Sequence, residues 1–214
     1  MKKPRVLLAD DHTFVLEGFK KLLEEQCDLV GSVEDGRALV EAAVKLQPEL
    51  VILDISMPRL NGIEAAKKLK KQLPGVKLIF VTMHADSAYV NEAFKAGASG
   101  YLLKRSAATE LAQAVQSAMS GHFYVTPLIA KDVVSFFLKP GHTPLPTIDD
   151  LTTRQREILQ LVAEGFSAKE IADQLKVSHR TVEFHKAKVM EQLNLHTTAD
   201  LVKYAIAHGL VTTS

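Results

Sequence analysis

From residue 5 to residue 121 the chain alternates short apolar runs with longer stretches whose apolar residues recur at helical spacing. The short runs are RVLLAD, LVGSVE, LVILD, VKLIFVT and GYLLK. The amphipathic stretches after them cover 13–25, 37–46, 61–73, 87–96 and 107–120. Five β-α repeats of this kind predict a parallel sheet covered by helices on both faces. The runs at 51–53 and 78–81 are apolar on consecutive residues, as strands buried on both sides require; a half-exposed antiparallel sheet would alternate. Asn61-Gly62, Pro74-Gly75, Gly97 and Gly100 supply the turns.

Beyond Gly121 the pattern changes. An apolar helical stretch, 126–138, leads into KPGHTPLPTIDD, where three prolines and a glycine between 139 and 150 mark a linker. From Leu151 onward the apolar spacing is helical throughout. The expected organisation is an α/β domain over 1–121, a helix and proline-rich linker over 122–148, and a small all-α domain over 149–214. Within the last, Thr152 with Gln155 and Ser167 with Glu170 are capping-box pairs. Ile158, Leu159, Leu161 and Val162 form a buried stripe and Gly165 ends the first helix. The second helix carries Ile171, Ala172 and Leu175. After a turn at Lys176-Val177, Ser178 caps a third helix from 179 to about 193. Two short helices joined so tightly predict a helix-turn-helix.

Composition narrows this picture only a little. Of 214 residues 47% are hydrophobic and 24% charged, enough apolar content for a proper core, and 26 Lys and Arg against 25 Asp and Glu leave a net charge of +1. No global field announces nucleic acid or an anionic membrane, so any such role must come from a local patch. Cys27 is the only cysteine, which excludes an intrachain disulfide and a multi-cysteine zinc site and suits a reducing cytosol. The basic N-terminus is followed by only a short apolar run, and no stretch of about 20 apolar residues occurs, so the expectation is a cytoplasmic, non-membrane protein. KKLKK at 67–71 reads as the solvated face of the third helix. GASG at 97–100 precedes a strand, whereas a dinucleotide fingerprint follows one.

The chemistry stands at the strand ends, where open α/β sheets collect ligands. Asp10 and Asp11 follow the first strand, Asp54 the third, Thr82 the fourth and Lys104 the fifth. Two adjacent ionised carboxylates about 4 Å apart repel by roughly 4 kcal/mol at an effective dielectric near 20, so the pair needs a cation, a proton or open water. Hard oxygen ligands without histidine or cysteine suit Mg²⁺. A carboxylate can itself be the nucleophile and form an aspartyl phosphate, with Lys104 neutralising one phosphoryl oxygen and the Thr82 hydroxyl bonding another.

The runs ADDH, LDISMPRLNG, VTMHA and GYLLKR resemble the receiver domain of two-component response regulators over residues 4–121, most specifically in D-x-x-M-P-x-x-x-G at 54–62. The resemblance implies a flavodoxin-like (βα)5 fold with a five-stranded parallel sheet, and phosphorylation of Asp54 by a sensor histidine kinase. It also implies Mg²⁺ held by the Asp11 and Asp54 side chains and the Ser56 carbonyl, with Asp10 acting through water, and a switch pair Thr82 and Tyr101. Many receivers carry proline after the lysine, where this chain has Arg105.

The segment LTTRQREILQLVAEGFSAKEIADQLKVSHRTVEFHKAKVMEQL resembles the LuxR-type DNA-binding domain, with Gln155 and Ala168 where that family often has Glu and Asn. Residues 176–188 hold four Lys or Arg against one Glu, which concentrates positive charge on the third helix. On it Val182, Val189 and Leu193 face inward, and Arg180, Glu183, Phe184, Ala187 and Lys188 outward. The resemblance implies a helix in the major groove of double-stranded DNA, with Glu183, Phe184 and Ala187 near base edges and Lys169, Thr181, His185, Lys186 and Lys188 nearer phosphates. His185 has no second histidine three or four residues away and is expected on a phosphate rather than a metal. The helix at 198–208, with Leu201, Tyr204 and Ala205, is a candidate dimer contact.

Together the halves resemble a transcriptional response regulator of the NarL and FixJ group. The expectation is no enzyme in its own right, but a homodimer whose DNA binding shifts on phosphorylation. Two alternatives stand beside it: a DNA-binding regulator whose receiver is only a dimerisation module, and a Mg²⁺-dependent phosphohydrolase. The second would commonly have an acid two residues after the nucleophile, where this chain has Ser56.

Overall fold

The computed structural model describes residues 3–138, 151–207 and 210–211; the linker expected at 139–150 and the end of the last helix at 208 lie outside the described residues. The chain divides into two compact units, Met1–Gly141 and His142–Ser214.

In the first unit the elements run β1 (Arg5–Ala9), α1 (Thr13–Leu23), β2 (Asp28–Val33), α2 (Gly36–Leu46), β3 (Leu50–Leu53), α3 (Gly62–Gln72), β4 (Lys77–Thr82), α4 (Ser87–Lys95), β5 (Gly100–Leu103), a 3-10 turn at Lys104–Ser106, α5 (Ala107–Met119), β6 (Tyr124–Val125) and α6 (Pro127–Leu138). The strands form one parallel sheet in the order β2-β1-β3-β4-β5-β6. The sheet therefore has six strands, one more than the five expected. Tyr124 and Val125 pair with Gly100 and Tyr101, and Thr126 N–H donates to Tyr101 O at 3.0 Å. A two-residue strand shows no periodicity, and its pairing comes from main-chain groups that the free edge of β5 would otherwise leave open.

Alternation along the strands splits the core into two layers. Leu7, Ala9, Val51, Leu53, Leu78, Phe80, Tyr101 and Leu103 point toward α2, α3 and α4, and Ile129 and Val133 of α6 join that layer. Val6, Leu8, Leu50, Ile52, Ile79, Val81 and Leu102 point toward α1 and α5, where Cys27 is also buried. β3 is buried at all four residues, which is why its sequence is apolar without a break.

Register then sets the site. Ala9 lies beside Leu53, and Asp54 N–H donates to Ala9 O at 2.9 Å while Asp10 N–H donates to Val33 O at 3.1 Å. Asp10 and Asp54 thus leave the sheet together, one step past the ladder. Thr82 pairs with Leu103, which places Lys104 just beyond. Gly62 opens α3 where nothing larger fits: a Cβ there would lie 1.9 Å from Asp54 O.

The second unit consists, among the described residues, of α7 (Thr153–Ala163), α8 (Ala168–Leu175), α9 (His179–Gln192) and α10 (Thr198–Ala207). The capping boxes at Thr152/Gln155 and Ser167/Glu170 both form, and Ser178 accepts from Thr181 N–H at 3.1 Å at the start of α9. Gly165 adopts φ +91°, and Lys176 adopts the left-handed conformation that turns the chain between α8 and α9. Ile158, Leu161, Ile171, Val182, Val189, Leu201 and Ala205 share one core.

Candidate phosphoacceptor site and nucleic-acid interface

Asp10 and Asp54 are almost wholly buried, at 1% and 4% exposure, so their charges cannot rely on bulk water. Lys104 answers both: its Nζ lies 2.7 Å from Asp10 Oδ2 and 2.7 Å from Asp54 Oδ2. Asp54 Oδ1 accepts from Ile55 N–H at 2.6 Å, and Asp10 Oδ1 accepts from His12 N–H at 2.9 Å. Asp11 is half-buried, and its Oδ1 lies 2.8 Å from His12 Nδ1. No peptide bond among the described residues is cis, so Lys104–Arg105 is trans and the ammonium reaches both carboxylates from that backbone.

Thr82 is fully buried, and its Oγ1 accepts a long 3.4 Å bond from His84 N–H. Tyr101 is buried in the α2–α4 layer, and its hydroxyl donates to His84 O at 2.9 Å. The His84 ring stacks on Tyr89 with centroids 4.3 Å apart, and its Nε2 lies 2.9 Å from Ser56 Oγ. His84 therefore connects the residue two places past Asp54 with both Thr82 and Tyr101. Its role was not evident from the sequence; the available signal was its position two residues after a strand-end threonine. A second polar contact also escaped sequence reasoning. Thr126, fully buried, accepts from Leu103 N–H at 3.1 Å and donates to Glu110 Oε2 at 2.8 Å.

Electrostatics follow from this packing. Burial raises the Asp10 carboxyl above its ordinary range, more than Lys104 beside it lowers it, and the Asp54 charge adds to the rise. For Lys104, burial is the largest single influence and pulls down, but Asp54 and the hydrogen bonds to both carboxylates together hold the ammonium above its usual value. Burial pushes His84 below 6.5 against the pull of Asp54 and Asp86. Burial also drives the Tyr101 phenol far up, so it stays protonated and able to donate.

The residues present fit a hard divalent cation. Asp11 Oδ1 is a buried oxygen without a hydrogen-bond partner, beside the Asp10 and Asp54 carboxylates that share Lys104. Carboxylate donors converging with open lone pairs are what Mg²⁺ takes.

In the second unit, Arg180, Glu183, Phe184, Ala187 and Lys188 of α9 and Lys169 of α8 are exposed, while Val182 and Val189 are buried. Thr181, His185 and Lys186 are half-buried along the flank of α9. Phe184 is 58% exposed and meets the His185 ring edge-on at 5.5 Å. Lys188 also reaches Glu191 Oε2 at 2.6 Å. Gln155, where a Glu is frequent, completes its capping box and extends Nε2 to Gln192 Oε1 at 2.5 Å.

Comparison with known proteins matches residues 6–116 to the response regulator receiver domain model, and residues 149–205 to that of bacterial regulatory proteins of the luxR family. The chain is 34% identical to the oxygen regulatory protein NreC of Staphylococcus carnosus over 214 residues, covering 97% of this chain and 99% of that protein. It is 36% identical to the transcriptional regulatory protein LiaR of Bacillus subtilis over 209 residues, covering 97% and 99%. Among solved structures, the Salmonella typhimurium RcsB response regulator is similar with a TM-score of 0.66 at 29% identity, over 99% of this chain and 100% of that one. A complex of RcsB with DNA aligns with a TM-score of 0.59 at 29% identity, over 99% and 100% of the two chains.

Proposed function

This chain belongs to the response regulators that join a receiver domain to a LuxR-type DNA-binding domain, and from that membership we propose that phosphoryl transfer to Asp54 governs how its C-terminal unit engages DNA. It is a DNA-binding transcriptional regulator of a two-component system rather than an enzyme acting on a free substrate. The observation that carries the reading of Asp54 is the single ammonium of Lys104, placed 2.7 Å from both buried carboxylates.

In the transfer, a carboxylate oxygen of Asp54 attacks the phosphorus of a phosphohistidine on the sensor kinase. The O–P bond forms as the P–N bond breaks, and the imidazole leaves with the electron pair and takes up a proton. Lys104 then serves a phosphoryl oxygen, and the Thr82 hydroxyl leaves His84 N–H to serve another. Asp11, Asp54 and the Ser56 carbonyl would hold Mg²⁺, with Asp10 through water. When bound, the ion offsets the negative charge that carboxylates and phosphoryl oxygens concentrate there. Tyr101 follows Thr82 as the second switch residue, its position conveyed through the His84 carbonyl.

RcsB forms dimers on DNA, and this chain is assigned the same mode: a homodimer laying two α9 helices in successive major grooves of double-stranded DNA. Glu183, Phe184 and Ala187 face base edges; Lys169, Thr181, His185, Lys186 and Lys188 lie toward phosphates. A sensor histidine kinase as donor and DNA as target place the work in the cytoplasm. No helix among the described residues is long and apolar enough to cross a membrane.

Two measurements test the reading. Incubation with Mg²⁺ and a small phosphodonor should add one phosphate by mass to the wild type and none to Asp54→Asn; an undiminished adduct on Asp54→Asn refutes the assignment. DNA affinity should fall with salt, rise or change order on phosphorylation, and be lost in Lys186→Ala/Lys188→Ala. Equal DNA affinity and oligomeric state with and without phosphodonor would instead make the receiver a dimerisation module.

A further inference from the structure

α6 is the last element of the first unit, and it lies against α4 rather than free of it. Ile129 and Val133, four residues apart on one face, are buried in a cluster shared with Val90 and Ala93 of α4 and Tyr101 of β5. Leu128 and Val134 remain exposed. One residue before β6, Phe123 meets Phe94 of α4 edge-on, with ring centroids 5.7 Å apart, and β6 itself pairs with Gly100 and Tyr101. The segment 123–138 is thus held by α4 and by β5 at once, and the chain continues from its end to the C-terminal unit.

The opposite end of α4 is tied to the phosphoacceptor pocket. Tyr89, in the first turn of α4, stacks on the His84 ring, the Tyr101 hydroxyl donates to His84 O, and Thr82 Oγ1 accepts from His84 N–H. Asp86 caps the helix by accepting from Ala88 N–H at 2.8 Å. Thr82 can serve a phosphoryl oxygen only by giving up its bond to His84, which loosens the loop at 83–86 and the start of α4 with it. A nine-residue helix moves as a rod, so a displacement at Tyr89 reaches Val90, Ala93 and Phe94. A close-packed contact does not stretch to follow such a shift; it holds or it lets go.

Resting on the reading of Asp54 as the phosphoacceptor, we propose that α6 is the output switch of the α/β unit, docked on α4 while Thr82 holds His84 and released when the phosphoryl group draws Thr82 away. Docked and loose α6 are two arrangements of one helix, populated according to the state of Asp54. Release frees the segment through which the first unit is joined to the second. Linkage makes the coupling reciprocal: if the phosphoryl group loosens α6, loosening α6 by mutation must tighten the hold on the phosphoryl group.

The test uses the full-length protein with Mg²⁺ and beryllofluoride, an equilibrium stand-in for the phosphoryl group, and reads backbone hydrogen exchange beside affinity. In the wild type the ligand should lower the protection of amides 131–135 about tenfold and leave β3 unchanged; Asp54→Asn should show neither binding nor the change. Ile129→Ala/Val133→Ala, which strips both buried contacts, should lower α6 protection without ligand and bind beryllofluoride about fivefold more tightly, the gain never exceeding the factor seen at α6 in the wild type. Phe123→Ala, at an exposed position, should by itself lower α6 protection about threefold. If beryllofluoride binds through Asp54 but α6 protection does not fall, or if the double variant keeps its β3 protection and binds no more tightly, the switch is refuted and the phosphoacceptor stands. Should the double variant lose β3 protection, Phe123→Ala decides, and unchanged α6 protection there refutes the switch. If the wild type does not bind beryllofluoride, or Asp54→Asn binds it equally, both readings fall.

Discussion

Replacing Thr126 with valine removes one hydroxyl from the place where the added strand meets the phosphoacceptor pocket. Thr126 Oγ1 accepts from Leu103 N–H, the residue immediately before Lys104, and donates to Glu110. Valine has nearly the same shape, so no cavity opens; the loss is polar. Glu110 keeps Tyr124 as a hydrogen-bond partner, but the buried Leu103 N–H is left unpaired, which costs about 1–3 kcal/mol. Taking about 2 kcal/mol and a urea dependence of about 2 kcal/mol per molar, the unfolding midpoint of the α/β unit should drop by about 1 M. The chain has four tyrosines and no tryptophan. Three of the tyrosines, Tyr89, Tyr101 and Tyr124, lie in that unit, so tyrosine fluorescence reads its transition. Thr126→Ser keeps the hydroxyl and should recover most of the loss. A Thr126→Val midpoint within about 0.2 M of wild type, or a Thr126→Ser midpoint as low as that of valine, would refute the claim that this hydroxyl ties β6 to β5.

His84, held below 6.5 by burial, binds fewer protons folded than unfolded just under that pH. Its contribution to stability is therefore present above about 6.5 and lost as pH falls toward the folded value, with a slope of at most about 1.4 kcal/mol per pH unit; His84→Gln should flatten this part of the stability–pH curve. Gly18 lies exposed within α1 with nothing within 4 Å of its Cβ position, so Gly18→Ala should raise the midpoint by the equivalent of about 0.5–1 kcal/mol. Gly62→Ala drives a methyl to 1.9 Å from Asp54 O; it should cost about 3 kcal/mol or more and lower the rate of phosphodonor labelling in whatever folds. Asp11→Ala should weaken divalent-cation binding, read by calorimetry, more than Asp10→Ala, because Asp11 Oδ1 is the open donor while Asp10 is committed to Lys104 and His12. The reverse order would overturn the division between direct and water-mediated ligand.

The repeat of strands and helices was legible because strands buried on both faces must be apolar residue after residue, as in Leu50–Leu53, and the caps of the C-terminal helices were spelled by their own side chains at Thr152, Ser167 and Ser178. Asp10, Asp54 and Lys104 could be brought together on paper because a parallel sheet puts all strand ends of one kind at one edge. What stayed hidden depends on pairings that no local pattern encodes. β6 is two residues long and exists through main-chain bonds to β5. Thr126 reads as an ordinary turn residue until Leu103 and Glu110 are beside it. His84 and His12 look like loop histidines, since only the folded chain sets one against Ser56 and Tyr89 and turns the other from its helix onto the acids.

The strand order β2-β1-β3-β4-β5-β6 also has a meaning in time. Once residue 53 has left the ribosome, the first three strands hold all their mutual partners, and each later strand then docks on an edge that is already there. The last pieces, β6 and α6, are synthesised by Leu138, and α9 is complete only 54 residues later, at Gln192. At roughly 5–20 residues per second that interval is about 3–11 s, long against the folding of a domain this size. On the proposed reading, the receiver is folded and open to a phosphodonor before the helix assigned to DNA has been made.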